Sequence, residues 1–207
     1  IFHARELVSL EKNIDNLILL LSFYGLPEHL MDDEEAEKIA KEILELDSNN
    51  EDVCKFLIET YIALAGVEDK NNNHDKAIEY ALEAKKYVRD DEGEANADSF
   101  LAWLYDRYGH YSEAEELLKN LINKSKNDEW LYSELGFCLA EQGRQEEALE
   151  SYLKAIELGR DDAWIFTRIG MCYKNMDKKE EALEDLRSLE KLGVSRVALK
   201  EFYDKLK

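Results

Sequence analysis

The sequence predicts an all-α protein built from stacked helix-turn-helix units, and three observations predict it. First, its 207 residues are 45% hydrophobic and 36% charged, with nine Gly and a single Pro, Pro27. That is the composition of a folded chain with few turn signals for strands. Second, EWLYSELGFCLAEQG at 129–143 returns 34 residues later as AWIFTRIGMCYKNMD, EEAL at 146–149 returns at 180–183, and SEAEELL at 112–118 shares the phase. Third, Tyr132, Leu135, Gly136 and Leu139 follow the i, i+3, i+4, i+7 spacing of one helical stripe, and Ala148, Tyr152 and Ala155 make a second stripe after Gly143. The small Gly136 and Ala148 let the two backbones approach. Each such hairpin leaves apolar surface that only its neighbour covers, so stacking is obligatory.

In chain order, a helix from about His3 to Tyr24 pairs with EEAEKIAKEILELDSNN at 34–50, giving a first repeat over about 3–50. Asp32, Asp33, Glu34 and Glu35 read as a helix start, where negative charge complements the dipole. The second repeat, 51–94, begins with EDVCKFLIETYIALA, is stretched by a loop GVEDKNNNHD at 66–75, and continues as a helix over 76–88. Repeats at 95–128, 129–162 and 163–194 follow, and a capping helix, 195–207, carries Leu199, Phe202, Tyr203 and Leu206 as an apolar stripe. Asp128 is placed to cap the helix of Trp130, and Ser112 with Glu115 and Asp177 with Glu180 have capping-box spacing. Gly193 before Ser195 reads as a helix stop and restart.

These residues resemble the tetratricopeptide repeat family: small residues at Ala102, Gly136 and Gly170, aromatic or aliphatic ones at Tyr105, Leu139 and Tyr173, and alanines at Ala114, Ala148 and Ala182. The resemblance spans almost the whole chain and is cleanest over 95–193. It implies one right-handed α-solenoid domain over 1–207. The chain departs from the family where a proline is usual near the repeat end, since Ser48, Lys126 and Arg160 stand there.

At 100° per residue Trp130 and Phe137 lie within about 20° of each other on the helix wheel, opposite Tyr132, Leu135 and Leu139. Trp164 and Met171 stand likewise against Phe166, Ile169 and Tyr173, and Trp103 is the equivalent of Phe137. By resemblance these positions line a concave groove: Asn96, Ser99, Phe100, Trp103 and Arg107, then Trp130, Ser133, Glu134, Phe137 and Glu141, then Trp164, Thr167, Arg168, Met171 and Lys174. An aromatic row of this kind suits a peptide or helix of a partner protein, since one Trp or Phe buries on the order of 150 Å² or more on contact. Packing between adjacent repeats is the competing reading for Trp130 and Trp164. The family's clamp for a terminal carboxylate needs lysine where this chain has Lys55, Ser99, Ser133 and Thr167, and asparagine where it has Glu59, Trp103, Phe137 and Met171. The clamp is absent.

A formal net charge of −20, with 47 acidic against 27 basic residues, argues against nucleic acid and anionic membranes as partners. Leu17–Leu21 is too short an apolar run to cross a bilayer. Cys54, Cys138 and Cys172 have no CxxC spacing, which points to the cytoplasm and to small core thiols rather than ligands or nucleophiles. His3, His29, His74 and His110 are scattered, and the acidic loop at 69–75 lacks the Gly and closing Glu of a calcium loop, so neither metal nor cofactor is expected. No phosphate loop, nucleophile elbow or triad order supports an enzyme. The second function to weigh is self-association through the first helix, where Ile14, Leu17, Ile18, Leu19, Leu20, Leu21, Phe23 and Tyr24 leave little polar circumference. The first residue, Ile1, suggests a processed chain or part of a longer one.

Overall fold

The computed structural model describes residues 8, 13–24, 33–191, 199–200 and 204. Among them lie ten helices and no strand: α1 (Ile14–Tyr24), α2 (Asp33–Leu46), α3 (Glu51–Lys70), α4 (His74–Lys85), α5 (Asp91–Arg107), α6 (Tyr111–Lys124), α7 (Glu129–Glu141), α8 (Gln145–Glu157), α9 (Ala163–Asn175) and α10 (Lys179–Lys191). The chain forms two compact units, 1–101 and 102–207.

In the first unit α2 packs against both α1 and α3, and α3 against α4. Leu17, Leu20 and Leu21 of α1 are buried with Ile39, Ala40, Ile43, Leu57 and Tyr61, so this one side of α1 is covered within the unit while Leu19 stays 42% exposed. The Tyr61 ring stacks on Tyr87 and Tyr80, at centroid distances of 5.7 and 6.2 Å. Asn50 caps α3 by accepting a hydrogen bond from the Val53 amide at 3.1 Å.

The stretched loop expected at 66–75 is not a loop. Helix α3 runs through GVEDK to Lys70, 20 residues in all, and only Asn71, Asn72 and Asn73 connect it to α4. Ala65 and Asp69 are buried one turn apart on the same helix, so tertiary packing carries the helix past Gly66, whose cost is only about 1 kcal/mol. Asn72 supplies the left-handed turn, at φ 59°, that ends it.

In the second unit α7 packs on α6 and α8, and α9 on α8 and α10. The expected close approach within α7–α8 is present: a Cβ on Gly136 would stand 2.8 Å from the Tyr152 ring and 3.1 Å from the Ala148 carbonyl. Tyr152, Phe166, Leu118, Ile165 and Ile169 are fully buried around it. The hairpin turns place Gly109 and Gly143 at φ 81° and Asp177 at φ 56°. This corrects one expected cap: Asp177 is the left-handed residue of the turn, equivalent to those glycines, and α10 starts two residues later. Ser112 is no cap either, because α6 already begins at Tyr111. Its supposed partner Glu115 instead accepts hydrogen bonds from Lys119, Gln142 and Arg144, joining α6 to the start of α8. Asp128 does cap α7, accepting from the Trp130 amide at 3.0 Å, and Asp162 does the same for Trp164 at 2.9 Å. The stop at Gly193 and most of the closing helix, 195–207, lie outside the described residues; Leu199 is buried in the core of the second unit.

Candidate protein-binding face

The aromatic residues expected to form one row divide into two kinds. Trp130 and Trp164, in the first turns of α7 and α9, are half-buried and pack against the core of the second unit. The Trp164 ring meets Tyr152 of α8 edge-on, at 6.1 Å between centroids and 82° between planes. Both tryptophans therefore serve packing within the unit. Phe137 and Met171, two helical turns further along their helices, differ. Phe137 is half-buried and is not part of that core shell, and Met171 is 38% exposed.

Phe137 nevertheless has company. Its ring lies 6.2 Å from that of Trp164, tilted by 35°, and 6.2 Å from that of Tyr111 on α6, edge-on. The Arg168 guanidinium of α9 sits 4.3 Å from the Phe137 centroid and 5.3 Å from that of Trp164, and its Nη1 is 3.5 Å from Oε1 of Glu141. Arg160 covers Trp164 at 4.9 Å, pairs with Asp162 at 2.7 Å and donates to the Ser133 hydroxyl. Thus the residue standing where the family has proline ties the α8–α9 turn to α7 and α9 by a stacked cation and two hydrogen-bonding partners.

Ser133 is fully buried and donates to the Trp130 carbonyl at 2.7 Å, so it lines no open surface, contrary to expectation. Its small side chain follows from that crowding. Thr167 turns its hydroxyl back to the Ala163 carbonyl at 2.9 Å. Trp103 is half-buried with the exposed Arg107 over its ring at 5.4 Å. Asn96 and Phe100 belong to the first unit. There Asn96 is exposed beside a cavity of about 50 Å³ shared with Lys55, Ile58, Glu59, Glu92 and Gly93, and Phe100 is half-buried, approaching Gly66.

Two carboxyls give this face its electrostatics. Burial, with the neighbouring Asp106 charge, pushes Glu134 up to about 7. Burial likewise lifts Asp106 to about 6, against the lowering effect of the hydrogen bond it accepts from the Cys138 thiol at 3.5 Å. Burial also raises the Cys138 thiol, helped by Asp106, and holds Cys172 at about 11. Both are therefore protonated core thiols at neutral pH, with no nucleophilic character. Asp106 and Tyr111 were not singled out from the sequence, and Arg160 only as a departure from the family's proline. Asp106 stands nearly one turn beyond Trp103, and Arg160 at the missing proline, which are the signals that point to them.

Two family models match the chain, a TPR repeat over residues 138–177 and a tetratricopeptide repeat over residues 165–192. No curated protein matches its sequence. Among solved structures it is similar to YrrB, described as a TPR protein with an unusual peptide-binding site, at 18% identity and TM-score 0.64 over 97% of both chains. It is similar too to a MamA RS-1 double mutant, at 16% identity and TM-score 0.62 over 93% of both chains. A third is residues 41 to the end of MamA from Desulfovibrio magneticus RS-1, at 18% identity and TM-score 0.60, over 88% of this chain and 96% of that one. At such identities the likeness is one of fold. Helix hairpins repeating every 34 residues, the matched repeats and the shared architecture agree: residues 138–192 carry repeats of the tetratricopeptide type, and the fold is that of an α-solenoid of helical repeats.

Proposed function

We propose that the chain is a protein-interaction scaffold whose second unit binds an extended segment or helix of a partner on the face of α7 and α9. The observation that carries this reading is the pair Phe137 and Met171. They occupy equivalent places on consecutive first helices, large and apolar, yet neither belongs to the buried core of the unit. YrrB, of the same fold, is described as having a peptide-binding site. The buried, unpaired thiols Cys54, Cys138 and Cys172 fit a reducing compartment, the cytoplasm.

Phe137→Ala with Met171→Ala tests the reading better than any change at Trp130 or Trp164, which would also open the core. The double variant is expected to keep its helical circular dichroism while losing partner capture from native lysate. Undiminished capture defeats the proposal. Self-association through α1 is the second reading, favoured by the exposed Leu19. Light scattering at high concentration that gives a strictly monomeric mass removes it.

A further inference from the structure

We propose that Arg168 is a lid: in the free protein its guanidinium covers the Phe137 ring, latched by Glu141, and the partner segment docks by lifting it off. The inference rests on the function proposed above and adds how that face is opened.

The first support is where the cover lies. Arg168 reaches from α9 back to α7, and its guanidinium carbon stands 4.3 Å from the Phe137 centroid and 5.3 Å from that of Trp164. That is contact distance for a planar cation lying on a ring. The covered ring is half-buried and lies outside the core of the unit, and three residues further along α9 stands the exposed Met171. Residues three apart are neighbours on a helix surface, so the lid borders both of the apolar side chains that carry the proposed function. Left bare, Phe137 would add its ring to the surface Met171 already presents, with the risk of association that exposed apolar patches bring.

The second support is how little holds the cover in place. Arg168 donates no hydrogen bond among the described residues. Its one ion pair there is with the exposed Glu141, 3.5 Å away, and Asp106 and Glu134 act on it only through space. Exposed pairs and stacked surface cations hold weakly. Arg160 is the internal contrast. It covers Trp164 at 4.9 Å, and its side chain is hardly less exposed, 19 against 25%, yet it is fastened by hydrogen bonds to Asp162 at 2.7 Å and to the Ser133 hydroxyl. Arg144 is fastened likewise, to Glu115 and Glu147. These two arginines are struts, whereas Arg168 rests on its ring with its donors unspent. Rotation of its side chain lifts the guanidinium without breaking a hydrogen bond, and the freed fork can then meet carbonyl oxygens of the segment that replaces it.

The test places para-fluorophenylalanine at position 137 of the full chain and reads the broadening of its fluorine resonance by a soluble gadolinium chelate. Broadening is expected to rise about threefold or more in Arg168→Ala and to rise less in Glu141→Gln, which removes only the latch. Arg168→Lys keeps the charge but not the planar cover and is expected to behave like the alanine variant, with thermal melting confirming that each variant is folded. Equal broadening in the parent and all its variants overturns the lid and leaves the docking face untouched. Nitrogen relaxation of the arginine side chains is expected to show Arg168 mobile where Arg144 and Arg160 are ordered; an Arg168 as ordered as the other two overturns the lid as well. Docking is probed with the neutral peptide acetyl-Ala-Leu-Phe-Leu-Ala-amide, followed by tryptophan fluorescence. Arg168→Ala, with no lid to lift, is expected to bind it about threefold tighter than the parent chain, and Phe137→Ala more weakly than either. Weaker binding by Arg168→Ala makes Arg168 a fixed part of the site and overturns the lid. Binding by neither protein overturns the docking face, and the lifting with it, whatever the fluorine reports.

Discussion

The hairpins α3–α4 and α7–α8 meet the same packing problem in different ways. In α7–α8 both helices have 13 residues and the backbones approach through Gly136 against Tyr152 and Ala148. In α3–α4 the first helix has 20 residues and the second 12, and stacked tyrosines, Tyr61 with Tyr80 and Tyr87, fill the space. Where α7 carries Ser133 and Phe137, α3 carries Lys55 and Glu59, and Lys55 lies 3.8 Å from Asp90. The difference teaches that the repeat period fixes which residues face the core but not how long a helix runs. It also leaves the half-buried Phe137 outside the core on the hairpin that is regular.

One substitution made at two glycines breaks or sharpens that contrast most strongly. Gly136→Ala forces a methyl into the Tyr152 ring and the Ala148 carbonyl, with Tyr152 too buried to yield, and is expected to cost ~3 kcal/mol. Gly66→Ala, in the middle of α3, meets only the tip of Phe100 at 4.0 Å and is expected to stabilise by about 0.5–1 kcal/mol. Urea unfolding measures both; equal signs would mean that the two hairpins are packed alike.

The next effect separates the two kinds of carboxylate in the second unit by pH. Glu134 has a folded pKa raised above its unfolded value, so its contribution is favourable below about 4.5 and is lost as pH rises through about 7. Glu134→Gln is therefore expected to stabilise by on the order of 1–2 kcal/mol at pH 8 and by nearly nothing at pH 4.5, read by thermal melting. Glu115 behaves in the opposite sense. Burial raises it, but the hydrogen bonds from Lys119, Arg144 and Gln142 outweigh that and hold it at about 2. Its contribution is present above about 4.5 and is lost as pH falls towards 2. Glu115→Gln is expected to cost ~1 kcal/mol at pH 7 and to flatten the acid limb of the stability curve.

The fold was legible because its determinants are local in sequence. Gly136, Ala148 and Tyr152 sit in phase with Gly170, Ala182 and their equivalents, and periodicity exposes them without coordinates. The candidate face was only half legible. A helix wheel places Trp130 and Phe137 in one direction, yet it ignores the neighbouring helix, and Tyr152 of α8 takes up the Trp164 ring while leaving Phe137 to Tyr111 and Arg168. Ser133 was misplaced for the same reason: it is buried with its hydroxyl accepting from Arg160, 27 residues away. The Asp106 charge on α5 acts on Glu134 of α7 across two helices, which no spacing within one helix reveals. Capping boxes failed differently, because the three-residue spacing of Asp177 and Glu180 is shared by a turn residue and the first turn after it.

The smallest effect bears on that last failure. Gly109, Gly143 and Asp177 occupy equivalent turn positions, all with positive φ, and an aspartate there carries the steric cost of the left-handed region, relieved only in part by its short polar side chain. If Asp177 were capping α10, replacing it with glycine would remove a hydrogen-bond acceptor and destabilise the helix. If it is the turn residue, as its φ of 56° requires, Asp177→Gly relieves strain and is expected to stabilise by about 0.5–1 kcal/mol, less the entropy that glycine adds to the unfolded chain. The reverse change, Gly143→Asp, is expected to cost a comparable amount. Calorimetry of the two variants would give shifts of opposite sign. Destabilisation by Asp177→Gly would restore the cap and set the turn before α10 apart from the two that precede it.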